Sequence, residues 1–170
     1  PKRSLIAWSQ KSRMTTPANK AERGSATMAQ QGVLIVLSGP SGAGKGTICK
    51  ELLRRCPRLH YSISATTRPP RPGETDGVNY WFVGAAAFQA MIEGDELLEW
   101  AEVYGNRYGT PRRTVADMLA EGKDVVLEID IQGAMQVKRK FPEGIYIYLI
   151  PPSIEELSQR IHKRGTDSPE

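Results

Sequence analysis

The chain has 170 residues, of which 39% are hydrophobic and 25% charged, with a formal net charge of +4. That length and mix suit one folded domain with its own core, and the apolar runs are far too short to span a bilayer. Residues 1–27 carry six basic side chains and one acidic one while residues 28–170 carry 17 and 18, so the basic excess builds no nucleic-acid-binding face on the folded part.

Residues 1–31 are rich in Ser, Thr, Lys, Arg and Ala and show no sustained period, which predicts a disordered leader. Met28 is a plausible natural start within it. A basic, acid-poor leader also fits an organelle transit peptide, although no amphipathic arginine face is visible. Residues 33–37 form a short continuous apolar run, the pattern of a buried parallel strand. A glycine-rich stretch follows, then a helical segment over residues 47–55. Cys49 and Cys56 lie seven apart on that helix. Their spacing suits neither a metal site nor a disulfide framework, and a reduced cytoplasmic interior is expected. His60 and His162 stand alone, which argues against a metal or triad role. Further on, residues 79–83 read as strand and 84–94 as helix. Residues 114–120 read as a helix ending near Gly122, and 125–130 and 145–150 as buried strands. Ser153, with Glu156 three residues later, is a capping box for a helix reaching about Lys163. Alternating strands and helices predict an α/β fold with a parallel sheet and right-handed crossovers. Between Ser62 and Pro111 the chain is rich in Arg, Pro, Gly, Thr and Tyr, and reads as an insertion.

The glycine-rich stretch carries the sharpest chemistry. Gly39, Pro40, Ser41, Gly42, Ala43, Gly44, Lys45, Gly46 and Thr47 stand between strand and helix, the context that a phosphate-binding G-x-x-x-x-G-K loop requires. Glycines let successive backbone N–H groups turn inward around an anion, and the following helix points its positive end there. Lys45 adds a mobile full charge. The segment is expected to bind a nucleoside triphosphate. It departs from the pattern at Gly46, where Ser or Thr is usual; Thr47 or a water is then the contact to Mg²⁺.

In the inserted region, Arg68-Pro-Pro-Arg71-Pro-Gly73 favours polyproline II, with three residues per turn. Arg68 and Arg71 then project from one side, as suits a phosphate bound by two guanidiniums. A solvated, proline-rich surface ligand would have the same composition. Tyr80 and Tyr108 offer hydroxyl donors to the same anion, or are ordinary sheet residues. Glu99 breaks an apolar stretch, and a carboxylate there could accept from the paired N1–H and 2-amino donors of guanine; a surface glutamate is the plainer alternative. Asp130 ends an expected buried strand, where ligands meet parallel sheets, or is a turn residue.

Taken together the motifs resemble guanylate kinase. They are Gly39 to Lys45; Ser64-Ala-Thr-Thr-Arg68-Pro-Pro-Arg71-Pro-Gly-Glu74; Gly77-Val-Asn-Tyr80-Trp-Phe82; Glu99-Trp100; Gly105-Asn-Arg-Tyr108-Gly109-Thr110; Asp130-Ile-Gln-Gly133; and Pro151-Pro-Ser153 with Arg160 and Arg164 beyond. The resemblance runs from about Gly32 to the end. It implies a P-loop NTPase-type parallel sheet with helices on both faces. The core would occupy residues 32–62 and 112–153, a GMP-binding insertion 63–111 and a partial lid 154–170. It implies phosphoryl transfer from ATP to GMP or dGMP with Mg²⁺. Arg68, Arg71, Tyr80 and Tyr108 match positions for the GMP phosphate, Ser64, Glu99 and Thr110 positions that read guanine, and Gly109 and Asp130 further GMP-site positions. Lys45, Arg71 and Arg164 match residues of the transfer itself, with Arg160 a helper. Substrates would be ATP and GMP, with neither nucleic acid nor membrane as partner. The family continues past Glu170, so the chain resembles a C-terminally truncated member. A chain that truly ended there is expected to be poorly stable and nearly inactive. Two other readings stay open: a phosphate-loop kinase for another phosphorylated acceptor, and a guanylate-kinase-like interaction scaffold, which typically lacks an intact loop.

Overall fold

The computed structural model describes residues 31–153 and 155–159. Arg160, Arg164, the expected helix beyond residue 159 and leader residues 1–30 lie outside the described residues. In chain order the elements are β1 (Leu34–Ser38), α1 (Lys45–Arg55), β2 (Leu59–Tyr61), β3 (Ala65–Thr66), β4 (Trp81–Phe82), α2 (Ala85–Glu93), β5 (Leu97–Val103), β6 (Asn106–Pro111), α3 (Arg112–Ala120), β7 (Asp124–Glu128), α4 (Ile131–Lys140) and β8 (Ile145–Tyr148).

Two sheets result. One is wholly parallel, in the order β2-β7-β1-β8. The chain leaves β1 through α1 to β2 and returns later to place β7 between them, while β8 adds on the far side of β1. The strand order therefore reverses at β1, and a crevice opens beyond the carboxyl ends of β1 and its neighbours, the usual ligand position in such sheets. Helices cover both faces, and the side-chain alternation of the strands shows why. Leu34 and Val36 of β1 and Val125 and Leu127 of β7 pack on one face against Val115 and Leu119 of α3 and Ala134 and Val137 of α4. Leu37 and Val126 point the other way, against Cys49, Leu52 and Leu53 of α1. Successive strand residues face opposite sides, so a strand buried on both must be apolar throughout. Each fully buried aliphatic chain contributes roughly 1.5–3 kcal/mol.

The second sheet, in the order β4-β3-β6-β5, is mixed: β3 runs parallel to β4, and β6 antiparallel to both β3 and β5. Phe88 of α2 is fully buried against Ala65 and Leu97 beneath it. β5 and β6 form a hairpin closed by Tyr104 and Gly105, both with positive φ (50° and 69°), as a two-residue turn matched to strand twist requires. Residues of α4 fasten this sheet to the parallel one. Gln136 accepts from Trp100 N at 3.3 Å and donates to Trp100 O at 2.7 Å, and Lys140 Nζ donates to Leu98 O.

Several sequence expectations shift. The strand expected over 125–130 ends at Glu128, and Asp130 instead caps α4, its Oδ1 accepting from Gly133 N at 2.8 Å. An aspartate side chain satisfies an orphan helix N–H better than it extends a strand. The helix expected from residue 114 begins at Arg112, and the one from residue 47 at Lys45. Ser153 Oγ does accept from Glu156 N, at 3.1 Å, ahead of helical residues 155–159. Among the described residues no helix is long and apolar enough to cross a membrane.

Candidate functional site

A cleft of about 1150 Å³ lies over the carboxyl ends of β1 and β7 and runs to the β5–β6 hairpin. One end is walled by residues 39–47. Gly42 and Gly44 adopt left-handed backbone (φ 78° and 92°), and α1 begins immediately at Lys45, so the first turn of the helix lines the cleft. Lys45 Nζ folds back over this loop, donating to Gly39 O at 2.7 Å and Pro40 O at 2.9 Å. The ammonium is thereby held at the loop mouth.

An acidic group not singled out in the sequence, Glu128, shares this end. It closes β7 and lies so near α1 that a Cβ on Gly46 would sit 3.5 Å from Glu128 Oε1. Burial, and then the Glu128 carboxylate, push the Cys49 thiol up to about 11. The available signal was positional: the one charged residue closing the apolar run 125–128, on the strand beside β1.

The other end is walled by side chains from distant segments: Ser64, Arg71, Tyr80, Glu99, Tyr108 and Asp130. The Tyr80 and Tyr108 rings meet edge to face with centroids 6.0 Å apart. Glu99, on β5, is 4% exposed, and the fully buried Thr110 on β6 donates its hydroxyl to Glu99 Oε1 at 2.5 Å. Burial pushes the Glu99 carboxyl up to about 7; the nearby Asp130 charge adds to this, while Thr110 opposes it.

Three expected residues stand behind this wall rather than on it: Arg68, Gly109 and Thr110. Arg68 does not project beside Arg71. Its guanidinium is 8% exposed, bonded to both carboxylate oxygens of Glu74 at 2.9 Å, and lies 5.4 Å from the Tyr80 ring centroid. The reason is a turn: Gly73 takes φ 84°, Glu74 N donates to Arg71 O, and Glu74 Oε2 accepts from Arg71 N at 2.7 Å. The polyproline run thus closes on itself, and Glu74 is its clasp. The hydrogen-bonded Glu74 carboxylate holds the Arg68 guanidinium above its ordinary value, against burial, with Tyr108 a lesser contributor. Gly109 is needed for packing; a Cβ there would come within 2.9 Å of Leu97 Cδ1 and 3.1 Å of Glu99 O.

Known proteins match this arrangement. The sequence model of the guanylate kinase family matches residues 31–170. A guanylate kinase of Desulfitobacterium hafniense is 64% identical over 139 residues, covering 82% of this chain and 70% of that protein. One from Carboxydothermus hydrogenoformans is 59% identical over 140 residues, covering 82% of this chain and 69% of that protein. The crystal structure of guanylate kinase from Anaplasma phagocytophilum superposes with a TM-score of 0.69 at 38% identity, over 79% of this chain and 68% of that one. The chain belongs to the guanylate kinase family.

Proposed function

We propose that the cleft holds ATP at its loop end and GMP at its side-chain end, and that the γ-phosphoryl group of ATP passes to the GMP phosphate to give ADP and GDP. The observation that supports this most is that one cleft contains both the entire loop 39–47 and Ser64, Arg71, Tyr80, Glu99, Tyr108 and Asp130. An anion-binding loop alone would fit many kinases. A buried carboxylate paired with Thr110 fits an acceptor base bearing two adjacent N–H donors, which guanine has and adenine lacks.

No strong general base is needed. A phosphate monoester has its second pKa near about 6, so its oxygen is already a nucleophile at neutral pH. Catalysis is then positioning and charge neutralisation. The loop amides and Lys45 hold the donor phosphates. Arg71, Tyr80 and Tyr108 hold the acceptor phosphate, and Arg68, ion-paired with Glu74, braces the Tyr80 ring behind them. Ser64, Glu99 and Asp130 surround the base, with Thr110 holding Glu99 from behind and Gly109 leaving room for the packing of β5. On the resemblance, Arg160 and Arg164 would act on the transferring group as charge spreads over it.

Magnesium fits the residues present. It takes one or two carboxylates and completes its shell with water and phosphate oxygens. Thr47 lines the cleft and the Glu128 carboxylate faces the same turn of α1, so these two would hold it beside the nucleotide. When bound it neutralises charge on the β- and γ-phosphates. A reduced compartment such as the cytoplasm suits the free thiols Cys49 and Cys56.

A coupled ADP-release assay tests the reading, with GMP, AMP and a ribose phosphate as acceptors. Turnover with GMP far above the other two is expected. Equal turnover with ribose phosphate would favour a kinase that ignores the base. ATP-independent partner binding without turnover would favour an interaction scaffold.

A further inference from the structure

Gly133 is the third residue of α4, buried and helical, with no positive φ to demand glycine. Helix propensity argues against it, since alanine costs less in a helix than glycine does. The reason for glycine lies in what faces it. A Cβ built on Gly133 falls 2.2 Å from Glu99 Oε2, 2.9 Å from Glu99 Cδ and 3.2 Å from Asp130 Oδ1. All three nearest atoms belong to carboxyl groups of the cleft. The first two distances are overlaps, so any side chain at Gly133 displaces the Glu99 carboxylate. That carboxylate is the end of a flexible side chain, so the fold can accommodate its movement. The site cannot, because Glu99 Oε1 is tied to Thr110 and Asp130 Oδ1 to Gly133 N.

We infer that Gly133 is a positioning residue for base recognition: its missing side chain lets the first turn of α4 close on the Glu99 carboxylate and sets that carboxylate for the two N–H donors of guanine. The inference rests on the reading of Glu99 as the group that meets the base. Gly133 touches no substrate itself. It acts by leaving the Glu99 carboxylate the space it occupies between Thr110 and α4, which a Cβ would fill. Sequence spacing could not show this, because Glu99 and Gly133 lie on different elements, β5 and α4.

The test is a double-mutant cycle on Gly133→Ala and Glu99→Ala. It uses steady-state kinetics with GMP and with inosine monophosphate, which lacks the 2-amino group, and thermal unfolding of each variant. Gly133→Ala is expected to raise KM for GMP on the order of 10- to 100-fold, the range for a disturbed hydrogen bond to a charged group. KM for ATP and kcat at saturating GMP stay within about threefold, as for a loss of acceptor binding alone. The melting temperature does not fall. In the Glu99→Ala background, Gly133→Ala adds less than about twofold, because no carboxylate remains to displace. Three results overturn the inference while leaving Glu99 its role: KM for GMP unchanged in Gly133→Ala, an equal effect in both backgrounds, or a lowered melting temperature with both substrates weakened. If Glu99→Ala keeps the native preference for GMP over inosine monophosphate, the reading of Glu99 fails and the inference with it.

Discussion

The two ends of the cleft are built on opposite plans. The loop end is one contiguous stretch, residues 39–47, whose binding groups are backbone amides and a single ammonium. The far end draws Ser64, Arg71, Tyr80, Glu99, Tyr108 and Asp130 from segments spread over some 67 positions. Main-chain amides recognise any phosphate, so the loop end is general. Side chains held by packing line the far end, which on the proposed reading is the particular one, selecting a single base. The difference also has an energetic side. At the loop end the Lys45 ammonium is bonded to the loop's own carbonyls, whereas the far end keeps a buried carboxylate bonded on one oxygen by the Thr110 hydroxyl.

That contrast can be broken at either end. Lys45→Ala leaves the loop backbone intact but removes its full charge. Turnover is expected to fall on the order of 10³-fold with GMP and with any other acceptor alike, as for loss of a transition-state charge partner. Quenched-flow or steady-state ADP release checks it. An acceptor-dependent loss would blur the distinction between general and particular ends.

Arg71→Lys keeps the charge at the far end but loses the planar fork that grips a phosphate by two bonds. Turnover is expected to drop on the order of 10²-fold. Near-normal turnover would show that charge alone suffices there.

The buried carboxylate has a pH signature. The folded chain holds Glu99 with a carboxyl pushed up to about 7 from 4.5, so it binds that proton more tightly than the unfolded chain does. The stability this brings is fully present below 4.5 and is lost as pH rises through 7. Glu99→Gln cannot ionise, so relative to the native sequence it should gain about 3 kcal/mol between acid and mildly alkaline pH. Denaturant unfolding at about pH 4 and about pH 8 measures the gain; a gain independent of pH would mean the carboxyl titrates normally. Glu74→Ala has the smallest expected effect. It opens the clasp on Arg68 and Arg71 without removing either cation, and KM for GMP should rise by about tenfold with KM for ATP unchanged.

What could be read from the residues follows the same division. The loop and its flanking strand were legible because their signal is local: an apolar run, glycines, a lysine, a helix. β7 was legible as an apolar run, since a strand buried on both faces has no alternation to hide it; β8 was legible as a run too, but it is the outermost described strand beside β1, and Ile145, Ile147 and Tyr148 are exposed rather than buried as the sequence predicted. β4, Trp81–Phe82, fell inside the strand expected over residues 79–83, but β2 and β3 were not legible, being two or three residues long and defined by their partners. α4 was obscured by Gly133, which in isolation reads as a turn signal and in the fold is a gap left for Glu99. The pairing of Arg68 with Glu74 was hidden by the same kind of residue, since the turn at Gly73 reverses a run that prolines alone would extend. The acceptor residues were named from a resemblance and from chemistry, and only the fold shows which of them face the cleft and which brace it.

The central claim is that the base is chosen by side chains at the far end, through Glu99. The most direct test is the ratio of kcat/KM for GMP to that for AMP, measured for the native sequence and for Glu99→Gln. A site that hydrogen-bonds its ligand rejects a mismatched one by roughly 10⁴-fold, and the substitution should erase on the order of 10² of that ratio. An unchanged ratio would contradict the claim.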